Sequence, residues 1–129
     1  MIRIVSSKGS EVLGDCGICA LATLLDKTFE DIAIAADKIA GKKWKEGLYL
    51  TQIIKIAAEF GTILKRRRKY DLESGYGILY VEITQQGKRL KHVVLLYEGL
   101  IIDWDATIWE PDEFKATYDA KFGELLFKP

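Results

Sequence analysis

Between residues 16 and 25 the chain reads CGICALATLL, with apolar or small side chains at nearly every position around a helical wheel. A helix that is apolar on all sides is buried on all sides, so this segment predicts the central helix of the domain, with Asp15 as its N-cap. A second helix is expected from Thr28, where TFED sets a capping hydroxyl three residues ahead of Asp31, to a stop at Gly41. In LTQIIKIAAEFG, residues 50–61, Ile53, Ile54, Ala57 and Ala58 recur on one face, Thr51 stands as the cap and Gly61 as the stop.

Beyond Gly61 the period shortens. TILKRRRKY, GILYVEI, HVVLLYE and LIIDWD are brief β-branched or aromatic runs separated by Gly or polar residues, the pattern of an antiparallel sheet. PDEFKATYDA inserts one short helix led by Pro111, and ELLF supplies a last strand. Helices first and sheet afterwards predict an α+β domain in which the cysteine-bearing helix packs on the C-terminal sheet. Only Pro111 and Pro129 interrupt as prolines and no Gly/Ser-rich linker occurs, so residues 1–129 read as one domain.

Composition narrows the function classes. With 129 residues and 49% hydrophobic content the chain can bury a core without disulfides or metal. Nineteen basic residues balance nineteen acidic ones, which argues against duplex DNA or an anionic membrane as partner. The start, MIRIVSSKGSEVLGDCG, lacks the apolar stretch of a secretory signal, and no run is long enough to span a bilayer. The expected compartment is the cytoplasm, where Cys16 and Cys19 stay reduced.

Three chemistries compete for the two cysteines. The spacing Cys16-Gly-Ile-Cys19 at a helix start suits thiol redox, but a thioredoxin-like site needs a cis-proline facing the pair, and Pro111 belongs to a helix start. A structural zinc site wants four ligands, and Cys16, Cys19 and His92 are all the cysteine and histidine there is, so no metal or other cofactor is expected. In the third reading Cys16 is a nucleophile, at the first turn of a buried helix whose partial positive charge favours thiolate. Its base must be His92, the only histidine, which opens the run HVVLLYE. Cys19, one turn further into the helix, reads as core, where free cysteine is usually found.

A base needs an orienting acceptor. If Glu98-Gly99 forms a two-residue turn, Tyr97 pairs with Leu100, His92 with Asp105 and Val94 with Asp103. Residues two apart share a face of a strand, so both aspartates lie on the side of His92, and parity does not choose between them.

This constellation, in this chain order, resembles the papain-like cysteine peptidases, most closely the C39 and C39-like group. The matching segments are DCGICALATLL, GLYLTQIIKIAAEFG and HVVLLYEGLIID, spread over residues 10–110. The resemblance implies a papain-like fold and a peptide or protein substrate. It implies Cys16 as nucleophile, His92 as general base and acid, and Asp103 as the orienting residue, with Asp105 as the alternative. In other papain relatives the second cysteine of Cys-Gly-x-Cys is the nucleophile; here Cys16, directly after Asp15, matches the C39 pattern. The family's oxyanion site joins the backbone N–H of the nucleophile to a Gln about six residues upstream. Here that position is Ser10, which with Ser7 is the hydroxyl available to replace it, and no Gln precedes Gln52. Loss of one such donor costs about a hundredfold to a thousandfold in rate.

The reaction implied is cysteine hydrolysis of a peptide or amide through a thioester. An acyltransferase or transglutaminase-type reaction on the same triad, a degenerate domain that only binds, and a CxxC redox protein are the alternatives. KRRRKY, residues 65–70, reads as a solvated face rather than a nucleic-acid site, given the neutral net charge. Trp44, Trp104 and Trp109 read as core, Trp104 on the face opposite the two aspartates.

Overall fold

Residues 4–5 and 15–129 are described by a computed structural model of the chain; Ser7 and Ser10 lie outside the described residues. The apolar run forms helix α1 (Cys16–Leu25), with Gly17 through Thr23 buried. Asp15 does not cap it through its side chain. A capping side chain reaches the first free N–H groups from an extended backbone, whereas Asp15 already sits at φ −85°, ψ 2° and is buried. Its carbonyl instead accepts the Cys19 N–H at 3.0 Å, the first bond of the helix.

Helix α2 (Phe29–Ala40) starts as expected, with Thr28 Oγ1 accepting the Asp31 N–H at 3.1 Å, and stops at Gly41 with φ 64°. A 3-10 turn over Gly41–Glu46 leads to α3 (Leu50–Glu59). The cap position of α3 is Tyr49, two residues before the expected Thr51, because the Gln52 side chain reaches back to accept the Tyr49 N–H at 2.9 Å. That start turns Ile53, Ile56 and Ala57 inward and leaves Ala58 exposed and Ile54 half-buried.

The remaining described residues form a six-stranded antiparallel sheet, with strands β1 (Lys65–Arg67), β2 (Tyr76–Gln85), β3 (Lys88–Tyr97), β4 (Leu100–Ile102), β5 (Ile108–Trp109) and β6 (Lys121–Phe127). Helix α4 (Pro111–Tyr118) connects β5 to β6. The spatial order is β1-β6-β2-β3-β4-β5. The chain is thus an α+β protein with the helices leading and the sheet following.

Two tight turns fix the register. Gln86 and Gly87 have φ 53° and 75°, and Glu98 and Gly99 have φ 49° and 80°, the paired positive values of turns whose twist matches flanking strands. The first turn lets β3 begin at Lys88, so His92 lies mid-strand rather than opening it. The second pairs Tyr97 with Leu100 and Leu95 with Ile102, the register expected from the sequence. Strand β4 is shorter than LIIDWD suggests and ends at Ile102, where the chain turns toward β5.

Each face of the sheet carries its own core. On one side Ile18, Leu21, Ile32, Ile53 and Ile56 from α1–α3 pack on Ile78, Val93, Leu95 and Leu126. On the other, Phe114 of α4 covers Leu79, Val81, Leu96 and Ile101. Full burial of a Leu, Ile or Phe side chain is worth about 1.5–3 kcal/mol, so α1, with Ile18 and Leu21 inaccessible to solvent, is firmly seated. No helix among the described residues is long and apolar enough to cross a membrane.

Candidate active site

Strand pairing brings the first two polar groups together. Continuing the β3–β4 register sets Val94 opposite Asp103, which makes His92 and Asp103 diagonal neighbours on one face. The imidazole Nε2 lies 2.6 Å from Asp103 Oδ1, and both side chains are largely buried, with 12% and 6% of their surface exposed. Asp103 Oδ1 also accepts the Trp104 N–H at 2.8 Å, which fixes the carboxylate. Backbone bonds from Asp103 N–H to the Thr107 carbonyl and from Ala106 N–H to the Asp103 carbonyl, both 2.9 Å, turn the chain away at this residue.

That turn decides between the two aspartates. Asp105 lies within it, exposed, and Oδ1 accepts the Thr107 N–H at 3.1 Å and the Thr107 hydroxyl at 2.5 Å. It makes a turn of its own instead of facing His92. The parity argument assumed β4 would run through residue 105; the strand ends three residues earlier because Asp105 and Thr107 close a tight loop.

Cys16 comes from the other side. As the first residue of α1 it is half-buried, and its thiol is close enough to the imidazole to raise the ring's pKa. Asp103 occupies Nε2, which leaves Nδ1 for the sulfur. Before Leu95 strand β3 has no β4 neighbour, and the start of α1 lies at this notch: Cys16 and Cys19 line a small gap together with Val94, Asp103 and Trp104. Neither cysteine is in a disulfide, and Cys19 is buried. Gly17 permits the approach of the α3 side, since a Cβ there would stand 3.1 Å from Leu48 Cδ1.

Burial of the imidazole disfavours its charge, but the hydrogen bonds and negative charge of Asp103 and Cys16 prevail and raise its pKa from 6.5 to about 10. His92 is therefore an imidazolium at neutral pH, held between a carboxylate and a sulfur.

The sulfur and the imidazole open onto a cleft of about 740 Å³. One wall is helical, from Gly17 and the stretch Gly47 to Gln52; the other is the sheet, with Tyr80, Lys91, Val93 and Arg66. The sequence did not mark Tyr80, Gln52 or Lys91, and it left Arg66 inside an undivided basic run. The alternation of β1 was the available signal for Arg66. Trp44 is buried, with Nε1 donating to Asp37 Oδ1 at 2.6 Å, and Trp104 is half-buried against the helical core, so neither forms the cleft. Among the described residues no three His, Cys, Asp or Glu side chains are grouped to hold a metal ion.

No protein-family model and no curated protein matches this chain.

Proposed function

We propose that the chain is a papain-like cysteine hydrolase of the C39-like type, acting on a peptide or amide through Cys16, His92 and Asp103. The observation that carries this reading is the imidazole of His92 shared between Asp103, at 2.6 Å, and the helix-start thiol of Cys16, at the edge of an open cleft. Nucleophile, base and orienting acid in hydrogen-bonded sequence are what acyl transfer requires.

In the reaction the Cys16 thiolate adds to the substrate carbonyl carbon, and the C–N bond breaks as the His92 imidazolium protonates the departing amine. Water, deprotonated by His92, then attacks the thioester, the C–S bond breaks and the acid leaves. Asp103 keeps the ring oriented and stabilises its charge throughout. An α-helix leaves its first N–H groups without intrahelical acceptors, so the Cys16 N–H at the head of α1 is the backbone donor for the developing oxyanion. Two cysteines outside any disulfide suit a reducing compartment such as the cytoplasm.

The deciding experiment is the pH dependence of iodoacetamide alkylation, followed by mass, on wild type, Cys16→Ser, Cys19→Ser and His92→Ala. Cys16 should alkylate rapidly well below the pH of about 8.5 at which a free thiol ionises, and should slow there when His92 is removed. If Cys16 reacts as an ordinary thiol with or without His92, the nucleophile reading falls. The domain is then better read as one that binds without catalysis, the alternative that Ser10 in place of the family's Gln favours.

A further inference from the structure

The cleft is basic although the chain is neutral. Nineteen Lys and Arg balance nineteen Asp and Glu overall, yet among the described residues lining the cleft Arg66 and Lys91 stand with the His92 imidazolium, and there is no Asp or Glu. The basic run KRRRKY contributes to this selectively. In β1 side chains alternate, so Arg66 faces the cleft and Arg67 turns to the other face, its guanidinium 4.3 Å from the centre of the Phe127 ring. Arg66 is held in place by Glu124 through two parallel hydrogen bonds, Nε to Oε2 at 2.8 Å and Nη2 to Oε1 at 2.9 Å. Its remaining donors are free for an anion, since a guanidinium carries five. The hydrogen bond and charge of Arg66, with a smaller effect of Arg68, lower the Glu124 pKa.

Lys91 is exposed and directly precedes His92. Its cross-strand partner Glu82 lies outside the cleft lining and pairs with Arg89 at 3.7 Å, and Lys91 itself makes no ion pair among the described residues. An exposed lysine beside a reacting histidine and an oriented arginine further along the same wall are two points of anion recognition.

Resting on the hydrolase reading above, we infer that the substrate is an acidic peptide, one whose Asp or Glu side chain next to the scissile bond is received by Lys91, with Arg66 in reach of an acidic group further along the cleft. The cleft volume suits several residues of a peptide rather than a single small anion.

The test is protection of Cys16 from iodoacetamide by alanine hexapeptide amides carrying one central Glu, Gln or Lys. It is run near the thiol's ordinary ionisation pH of about 8.5, so that the readout holds even if Cys16 is an ordinary thiol. The Glu peptide should protect at concentrations about fivefold lower than the Gln peptide, the gain expected of a solvent-exposed ion pair, and the Lys peptide least. Lys91→Gln, a change at an exposed strand position, should erase the preference for Glu, and so should raised ionic strength. Equal protection by all three peptides, no protection by any, or a preference that survives both Lys91→Gln and Arg66→Gln overturns the inference. Failure of the hydrolase reading is seen separately, in the pH profile of alkylation without peptide.

Discussion

Asp103 and His92 meet across the β3–β4 turn with Oδ1 2.6 Å from Nε2, and the same oxygen accepts the Trp104 N–H at 2.8 Å. A carboxylate anchored by its own backbone cannot swing away when the ring gains or loses its proton. Orientation of the imidazole is therefore a property of the hairpin: it follows from a turn at Glu98-Gly99 that sets the register and a loop at Asp105 that ends β4 in time.

Asp103→Asn should lower the His92 pKa from about 10 toward 6.5, because the amide removes the negative charge and reverses the hydrogen-bond preference at Nε2. Asp105→Asn should leave it in place. His92 is the only histidine, so its imidazole proton resonances can be followed by NMR without assignment. If hydrolysis is established, Asp103→Asn should reduce it by about a hundredfold or more, by analogy with the loss of the orienting acid in acyl-transfer triads.

A raised histidine pKa also predicts how stability varies with pH. The folded state binds the His92 proton more tightly than the unfolded chain, so the stability this contributes is fully present below pH 6.5 and is lost as pH rises toward about 10. Urea midpoints should fall across that window, by a few kcal/mol at most when converted through the usual 1.36 kcal/mol per pKa unit. His92→Gln should flatten the profile. A midpoint unchanged between the two ends of the window would show that the imidazole is not held as the cation.

Sequence and structure agree most closely where a local signal decides the outcome. The all-apolar run gave α1 its bounds, Cys16–Leu25, and Glu98-Gly99 gave the hairpin register. The choice of Asp103 over Asp105 was not legible from parity, because it depends on where β4 stops, and a side-chain loop between Asp105 and Thr107 decides that. The cap of α3 passed from Thr51 to Tyr49 for a similar reason, a reach-back by Gln52 that competes with a hydroxyl cap. The cleft was the least legible feature. Arg66, Tyr80 and Lys91 come from three different strands, and only their pairing through β6 and β2 places them on one wall.

Cys19 separates hydrolytic from redox chemistry. It is 2% exposed within the helical core, so Cys19→Ser places a hydroxyl in apolar surroundings and should cost about 1–3 kcal/mol in denaturant unfolding. The rate and pH dependence of Cys16 alkylation should be unchanged. A thiol redox protein would lose its turnover with either cysteine, whereas a cysteine hydrolase loses it only with Cys16.

Glu98 offers a test of the hairpin as the element that positions the site. It holds φ 49°, a left-handed conformation that Asn tolerates and a β-branched residue resists. Glu98→Asn should stabilise the protein by about 0.5–1 kcal/mol, and Glu98→Val should destabilise it by about 1–2 kcal/mol, both measured by denaturant unfolding. If register transmits the strain, Glu98→Val should also lower the His92 pKa, since Asp103 reaches the ring only while Leu95 stays opposite Ile102. A loss of stability with the His92 titration unmoved would mean that the Asp103–Ala106 turn holds the carboxylate in place independently of the hairpin.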